Sequence, residues 1–257
     1  MRKFNNIYKD VGYLIYRWAS PVVDPIKVVT ALPNFLRYFI DMFIYSRLKG
    51  AEPISVINTY PKIHEKTNET SFDRHYFYQD IWAFKKIYGS KTKTHYDIGS
   101  NIVFVGFLTI ITNATFVDIR PLNTTLDNFE SIKGDICSLP FKNNSIPSLS
   151  CLHIAEHIGL GRYGDKLDPQ GTKKACQELA RVLAPGGDLY FSLPVGKPRL
   201  YFNSHRVHSP QQILKYFQNL KLVEFSGIDD EGKFIKNLSM EILENSDYAC
   251  GLFWFKK

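Results

Sequence analysis

Three groups of residues have the types and spacing to do chemistry. The first is Asp97-Ile98-Gly99-Ser100, with Asp118 twenty-one residues further on. Each aspartate stands at the end of a strand-like run, Thr-His-Tyr before Asp97 and Ala-Thr-Phe-Val before Asp118. Glycine at a strand-to-helix turn lets a ligand approach the backbone, and the N-terminus of the next helix is electropositive. An acid at the end of the following strand suits the two hydroxyls of a ribose. Each aspartate alone reads equally well as a cap on a strand end; at this spacing the pair favours a ligand.

The second group is His153-Ile-Ala-Glu156-His157. A histidine near its ordinary pKa removes a proton from a hydroxyl well. His157 is the first candidate base, then His153 and His205, with Glu156 as partner. A hydrogen-bonded structural Glu-His pair is the alternative. The letters also match the H-x-x-E-H signature of zinc peptidases, which needs both histidines one turn apart on a helix. Here they follow the strand-like Ser148–Leu152, so that chemistry is not expected and no metal is assigned. Gly159-Leu-Gly161-Arg-Tyr-Gly164 matches G-x-G-x-x-G but opens no apolar helix. It reads as a flexible loop gating a substrate.

The third group is the loop Pro194–His208, after an apolar strand. Carboxyl ends of strands in open α/β sheets are where ligands bind. Arg206 or Arg199 could grip a phosphate or carboxylate, and Asn203 and His205 could bond sugar hydroxyls. Arg162 and Asp165 carry a weaker form of the same argument.

These groups need a scaffold that alternates. Strands are expected near 94–98, 114–118, 130–133, 148–153, 188–194, 221–228 and 248–255, with helices near 101–112, 171–183 and 210–219. That order implies a parallel sheet with helices on both faces. The β-branched 101–112 favours a strand by propensity, yet parallel neighbours need a crossover there. The last strand follows a loop, which suits an antiparallel seventh strand. Residues 1–90 read as a helical extension and 91–257 as the main domain. Within the extension, Leu32, Phe35, Leu36, Phe39, Ile40, Phe43 and Ile44 repeat at helical spacing. A helix over 31–48 follows, with Pro33 in its first turn and Gly50 past its end. A shorter helix is expected over 77–88, broken at Gly89-Ser90.

Composition sets outer bounds. The chain has 257 residues, enough for one α/β domain with an extension. Its 19 Phe and 15 Tyr imply an aromatic core, or an aromatic substrate groove. The net charge of +7 is spread without a long Lys/Arg block, which disfavours nucleic acid. Four cysteines form no CxxC pair, so they read as buried free thiols of a reducing, cytoplasmic compartment. No secretory signal and no run of about 20 apolar residues is visible. Residues 31–48, with Lys27, Arg37, Arg47 and Lys49 around them, suit packing on another surface, a homodimer, or a peripheral contact at the inner face of a membrane.

Taken together, the chain resembles a Rossmann-like class I S-adenosylmethionine-dependent methyltransferase over about residues 94–255. Asp97-Ile-Gly99-Ser100 resembles the family's first motif, and Asp118 its ribose-binding acid. Gly134-Asp135-Ile136 resembles the turn at the adenine, with Asp135 at the amino group and Ile136 at the ring. Glu178 to Tyr190, through Ala184-Pro-Gly186-Gly187, resembles the helix, turn and fifth strand. His153 and Glu156-His157 would stand beside the sulfonium and the acceptor. The first motif departs from the family's D-x-G-x-G-x-G, since Asn101 and Val103 replace the later glycines. SLSCLHIAEHIGLGRYGD with FNSHRVHSP looks like the domain-of-unknown-function family number 268, found among polysaccharide-synthesis enzymes. The resemblance implies a seven-stranded sheet, S-adenosylmethionine as cofactor, and O-methylation of a saccharide or glycan precursor. Some relatives hold a divalent metal with such a Glu-His pair. Two competitors stand beside this reading: a degenerate fold serving as an interaction module, and a small-molecule or nucleic-acid methyltransferase.

Overall fold

Placement of the site residues depends on a twisted α/β sheet and on the elements that flank it. A computed structural model describes residues 2–257, with side chains from residue 11 onward. Two compact units are present, Met1–Ser71 and Phe72–Lys257.

The first unit holds helices α1 (Arg2–Ala19) and α2 (Pro25–Ser46). Asp24 caps α2 by accepting from the N–H groups of Ile26 and Lys27, at 3.0 and 3.3 Å. Pro25 occupies the first turn, where its fixed φ helps and its missing N–H costs nothing. The helix therefore starts six residues before the expected Ala31, and Pro33 lies in its interior. Asp-Pro is a stronger start signal than the hydrophobic period that suggested Ala31. No residue of α2 is buried. Among the described residues, no helix is long and apolar enough to cross a membrane.

The second unit runs α3 (Arg74–Ser90), β1 (Thr94–Ile98), α4 (Ile102–Leu108), β2 (Asn113–Asp118), β3 (Phe129–Lys133) and β4 (Ile146–Leu152). It continues with α5 (Gly171–Val182), β5 (Leu183–Val195), β6 (Arg199–Tyr201), β7 (His205–Val207), α6 (Pro210–Tyr216) and β8 (Lys221–Ile228). It closes with β9 (Phe234–Ile235), α7 (Glu241–Glu244) and β10 (Ala249–Lys256). The sheet order is β3-β2-β1-β4-β5-β10-β8-β9. Strands β1 to β5 pair in parallel, and β10 inserts antiparallel between β5 and β8. The seven expected strands are all present, and an eighth, the two-residue β9, pairs on the outer edge of β8. A separate hairpin, β6–β7, follows β5.

The crossover between β1 and β2 is helical despite its β-branched residues. Asn101 caps α4 by accepting from Val103 N–H at 2.9 Å, and parallel pairing leaves no other route. Helix α3 is capped by Asp73, whose carboxylate accepts from His75 and Tyr76 N–H. It runs through Gly89, where a break was expected, and stops at left-handed Lys91. The structure groups α3 with the sheet, whereas the sequence reading places it with the extension.

Side chains alternate across the sheet, so each face has its own core. Trp82, Ile87, Phe104, Leu108, Tyr190 and Leu252 fill the face under α3 and α4. Leu179, Phe191, Phe217, Phe225, Phe253 and Phe255 fill the opposite face with α5 and α6. Phe217 meets Phe191 edge to face and Phe255 at a tilt, with ring centroids 5.0 and 4.8 Å apart. Much of the phenylalanine content is thus core.

Candidate active site

The site lies at the carboxyl ends of β1, β2, β4 and β5, and its first half is the turn after β1. Asp97 is fully buried. Its Oδ1 accepts from Ser100 N–H at 2.9 Å, and its Oδ2 accepts from the Ser150 hydroxyl. Ser150 Oγ is also bonded to His95 Nε2 at 2.8 Å, and His95 Nδ1 to Ser148 Oγ at 2.7 Å. Ser100 Oγ accepts from Leu152 N–H at 3.0 Å. This polar chain beneath the turn locks β1 to β4. Burial pushes Asp97 up to about 6, with the bonds from Ser150 and Ser100 working against that rise. Burial pushes His95 down to about 3. Asp97 and Ser100, expected to touch a cofactor, are occupied inside the protein and instead fix the shape of the turn.

Gly99 is the half-buried product of that arrangement. Its φ is +69°, a region side chains avoid. A Cβ there would stand 3.3 Å from Ile154 Cδ1 and 3.4 Å from Asp118 Oδ2. Gly99, Asp118 and Ile154 therefore lie close together at this end of the sheet. Asp118 Oδ1 accepts from Arg120 N–H at 2.7 Å, and the Arg120 guanidinium lies 3.7 Å away. Asp135 is exposed, its Oδ1 accepting from Cys137 N–H at 2.8 Å. Ile136, expected against an adenine ring, is buried in the same apolar cluster as Val117 and Leu139.

The second half is a cavity of about 830 Å³. His153, Glu156, His157, Arg162 and His205 line it, as expected. His75, Tyr76, Tyr163, Asp230 and Tyr248 also line it, and sequence reasoning missed them. They come from the start of α3, the glycine loop, and the segments before β10, and no local spacing links these places.

His153 follows β4 at φ +56°, which turns the chain sharply into a single 3-10 turn, Ala155–His157. Both histidines of the peptidase-like motif are thus off any α-helix. His153 Nδ1 is 2.8 Å from Glu156 Oε1, and His157 Nε2 is 3.6 Å from the same oxygen. Burial opposes charge on Glu156, but His153 and His157 outweigh it and hold the carboxyl below its ordinary range. Glu156 Oε2 is buried without a partner.

His157 is the first candidate base of the sequence, and protein groups surround its ring. Its Nδ1 donates to Ser204 O at 2.6 Å, and its Nε2 faces Glu156, so both nitrogens are directed at protein groups. His205 is different. Its Nδ1 bonds Ser204 Oγ at 2.8 Å, while Nε2 has no partner. Burial lowers it to about 4, so it is neutral at pH 7.

Two substrate-binding assignments are corrected. Arg206 donates to Ile158 O at 2.6 Å and to Asp168 O at 3.1 Å, clamping the base of the glycine loop. Asn203 is exposed in the β6–β7 turn and does not line the cavity. Arg199 is held by Asp247, with 3.1 Å between guanidinium and carboxylate. The glycine loop is tied rather than loose. Asp165 accepts from Gly159 N–H at 2.6 Å, and a Cβ at Gly159 would lie 2.0 Å from Asp168 O. Arg162 keeps its expected place, reaching Ser204 O at 3.3 Å from the cavity wall.

A family model described as "Caenorhabditis protein of unknown function, DUF268" matches residues 143–248, the cavity-forming half of the second unit. No curated protein matches the chain in sequence. Solved structures do share its architecture. The N-methyltransferase NodS of Bradyrhizobium japonicum, in complex with S-adenosylhomocysteine, is 14% identical. The match has a TM-score of 0.50 and covers 70% of this chain and 86% of NodS. A phosphoethanolamine N-methyltransferase of Haemonchus contortus, in complex with phosphomonomethylethanolamine and S-adenosylhomocysteine, is 16% identical. That match has a TM-score of 0.51 and covers 70% of this chain and 53% of the other. The Haloferax volcanii complex between the Trm112 methyltransferase activator and a methyltransferase matches at 14% identity. Its TM-score is 0.51, covering 71% of this chain and 89% of that one. With the strand order and the antiparallel β10, these likenesses show that the chain has the Rossmann-like fold of the class I methyltransferases.

Proposed function

We propose that the protein transfers a methyl group from S-adenosylmethionine to a hydroxyl of a saccharide or glycan precursor. The observation that carries this reading is the approach of Gly99 and Asp118 at neighbouring strand ends, beside a polar cavity on the same edge of the sheet. Gly99 offers an open backbone, Asp118 Oδ2 faces the same space, and Asp135 stands exposed at the next strand end. These three would hold the nucleoside, with Asp118 on the ribose and Asp135 on the adenine amino group. The cofactor, when bound, supplies an electrophilic methyl group.

The chain's own part is positioning and proton removal. Tyr76, Tyr163 and Tyr248 give aromatic faces, and Asp230 and Arg162 give groups that bond hydroxyls, a lining suited to sugars. His205, with Nε2 unpartnered, is the base for the acceptor hydroxyl, a weak one while burial holds it at about 4; Glu156 fixes His153 and His157 around it. The acidic rim of Asp73, Asp229, Asp230 and Asp247 favours a second reading, a small cationic amine as acceptor.

The test is release of S-adenosylhomocysteine from S-adenosylmethionine with a panel of free and nucleotide-linked sugars and of amines. Turnover with sugars is expected, reduced about 100-fold in His205→Gln, the lower range for general-base catalysis. Turnover with amines alone would select the second reading. None at all would select the non-catalytic module.

For the first unit we infer a peripheral contact with an anionic bilayer. The exposed Leu32, Leu36, Phe39, Ile40, Phe43 and Ile44 lie along α2, near Lys27, Arg47 and Lys49. Co-sedimentation with phosphatidylserine vesicles is expected, and Phe39→Glu should reduce it about 10-fold or more. Equal sedimentation of both proteins would contradict the contact; loss of a dimer in the variant would assign α2 to a second copy instead.

A further inference from the structure

Three side chains meet at the back of the cavity that the proposed reaction does not use together. His75 stands in the first turn of α3, His153 follows β4, and Cys250 is the second residue of β10. A ring nitrogen of each histidine and Sγ of Cys250 all lie within 4.8 Å of one another. The two imidazoles are stacked 5.5 Å apart and 5° from parallel. Glu156 takes Nδ1 of His153, which leaves Nε2 as the free donor, buried and with no partner but the neighbouring Cys250 thiol. Cys250 is fully buried, its thiol in long contact with Gly251 O at 3.9 Å and otherwise facing His153.

We propose that His75, His153 and Cys250 bind a zinc ion, with a fourth coordination position open to the cavity. Two imidazoles and a thiolate are the donor set of zinc; magnesium and calcium take oxygen ligands. With Zn–N near 2.1 Å and Zn–S near 2.3 Å, tetrahedral donors stand roughly 3.5 Å apart. The three donors need to close by about 1 Å, which side-chain rotation at half-buried His75 supplies. The surroundings have the form of a metal site's outer shell. Glu156 on Nδ1 orients the His153 ring toward the ion, and Asp73 fixes the backbone of His75. Zinc entry releases the thiol proton of Cys250, and the Nε2 proton of His153 where present, to solvent.

Three protein ligands and an open position form the arrangement of catalytic zinc. An acceptor hydroxyl in the cavity would complete the coordination and give up its proton more readily. That role rests on the methyl-transfer reading; the metal site does not.

The test is titration of the full, reduced chain with cobalt(II), followed by absorption spectroscopy. One equivalent is expected to bind with a thiolate-to-cobalt charge-transfer band, and zinc should displace it. Cys250→Ser should abolish the band. His75→Gln, at a half-buried position, should weaken binding by at least the roughly 10-fold that loss of an outer-shell partner costs. Absence of the band in the folded wild type, or its survival in both variants, would overturn the site. No methyl donor enters this assay, so failure of methyl transfer and failure of metal binding are separate results.

Discussion

Replacing Asp118 with alanine is expected to weaken S-adenosylhomocysteine binding about 10- to 100-fold while leaving the fold intact. The loss of one hydrogen bond between a carboxylate and a ribose hydroxyl corresponds to about 1.5–3 kcal/mol. Each 1.4 kcal/mol is about a factor of ten. The local cost of the change is small. Oδ1 serves only the Arg120 N–H and guanidinium, and Arg120 is exposed, so water can replace the carboxylate there. Asn at the same position keeps an acceptor and loses the charge, so its affinity should fall between the two. Calorimetry on the three proteins checks this order. Equal affinity in all three would remove Asp118 from the cofactor site.

Glu156→Ala is expected to cost about 3–5 kcal/mol of folding stability, the usual result of removing one member of a buried ion pair. Glu156 has 1% of its side chain exposed, and its Oε1 faces both His153 and His157. Alanine would leave two buried imidazoles without their anion. Gln retains an oxygen acceptor for His153 Nδ1–H, so Glu156→Gln should lose less than about 2 kcal/mol. Urea unfolding with a common slope measures both. A Glu156→Ala protein within about 1 kcal/mol of wild type would show that the carboxylate does not hold the two histidines. The pH dependence has a definite sign. The Glu156 carboxyl is held low in the fold, so its contribution is present above its unfolded pKa, near 4.3. It is lost as pH falls below that value through the lower folded one.

Regular parts of the fold were legible in the sequence because period and turn chemistry are local. Strand β1 falls at Thr94–Ile98 and β8 at Lys221–Ile228, as expected, and each is followed at once by turn residues, Gly99-Ser100 and Asp229-Asp230. The crossover after Gly99 was legible from topology rather than propensity, and Asn101 supplies the cap. The start of α2 was misplaced because the apolar period drew more weight than the Asp24-Pro25 pair. Positions of the site residues were only half legible. Gly99 and Asp118 converge because strand ends in a parallel sheet share one edge. The orientation of a side chain at such an edge depends on partners far away in sequence. Ser150 turns Asp97 inward, the loop carbonyls capture Arg206, and Ser204 captures His157. His75, Tyr248 and Cys250 carried no signal at all, since only the packing of α3 and β10 beside β4 brings them to His153.

The central claim is that the turn at Gly99, facing Asp118, is a working cofactor site despite Asn101 and Val103 standing where the resembling family has glycines. Isothermal calorimetry of S-adenosylhomocysteine with the wild-type chain tests it most directly. Binding at micromolar strength, about −8 kcal/mol, is the predicted result. A thermal shift should accompany it, since ligand at about 100 times its dissociation constant adds roughly 2.7 kcal/mol to stability. A folded protein that takes up none at millimolar concentration would contradict the account and leave the sheet as a scaffold without its cofactor.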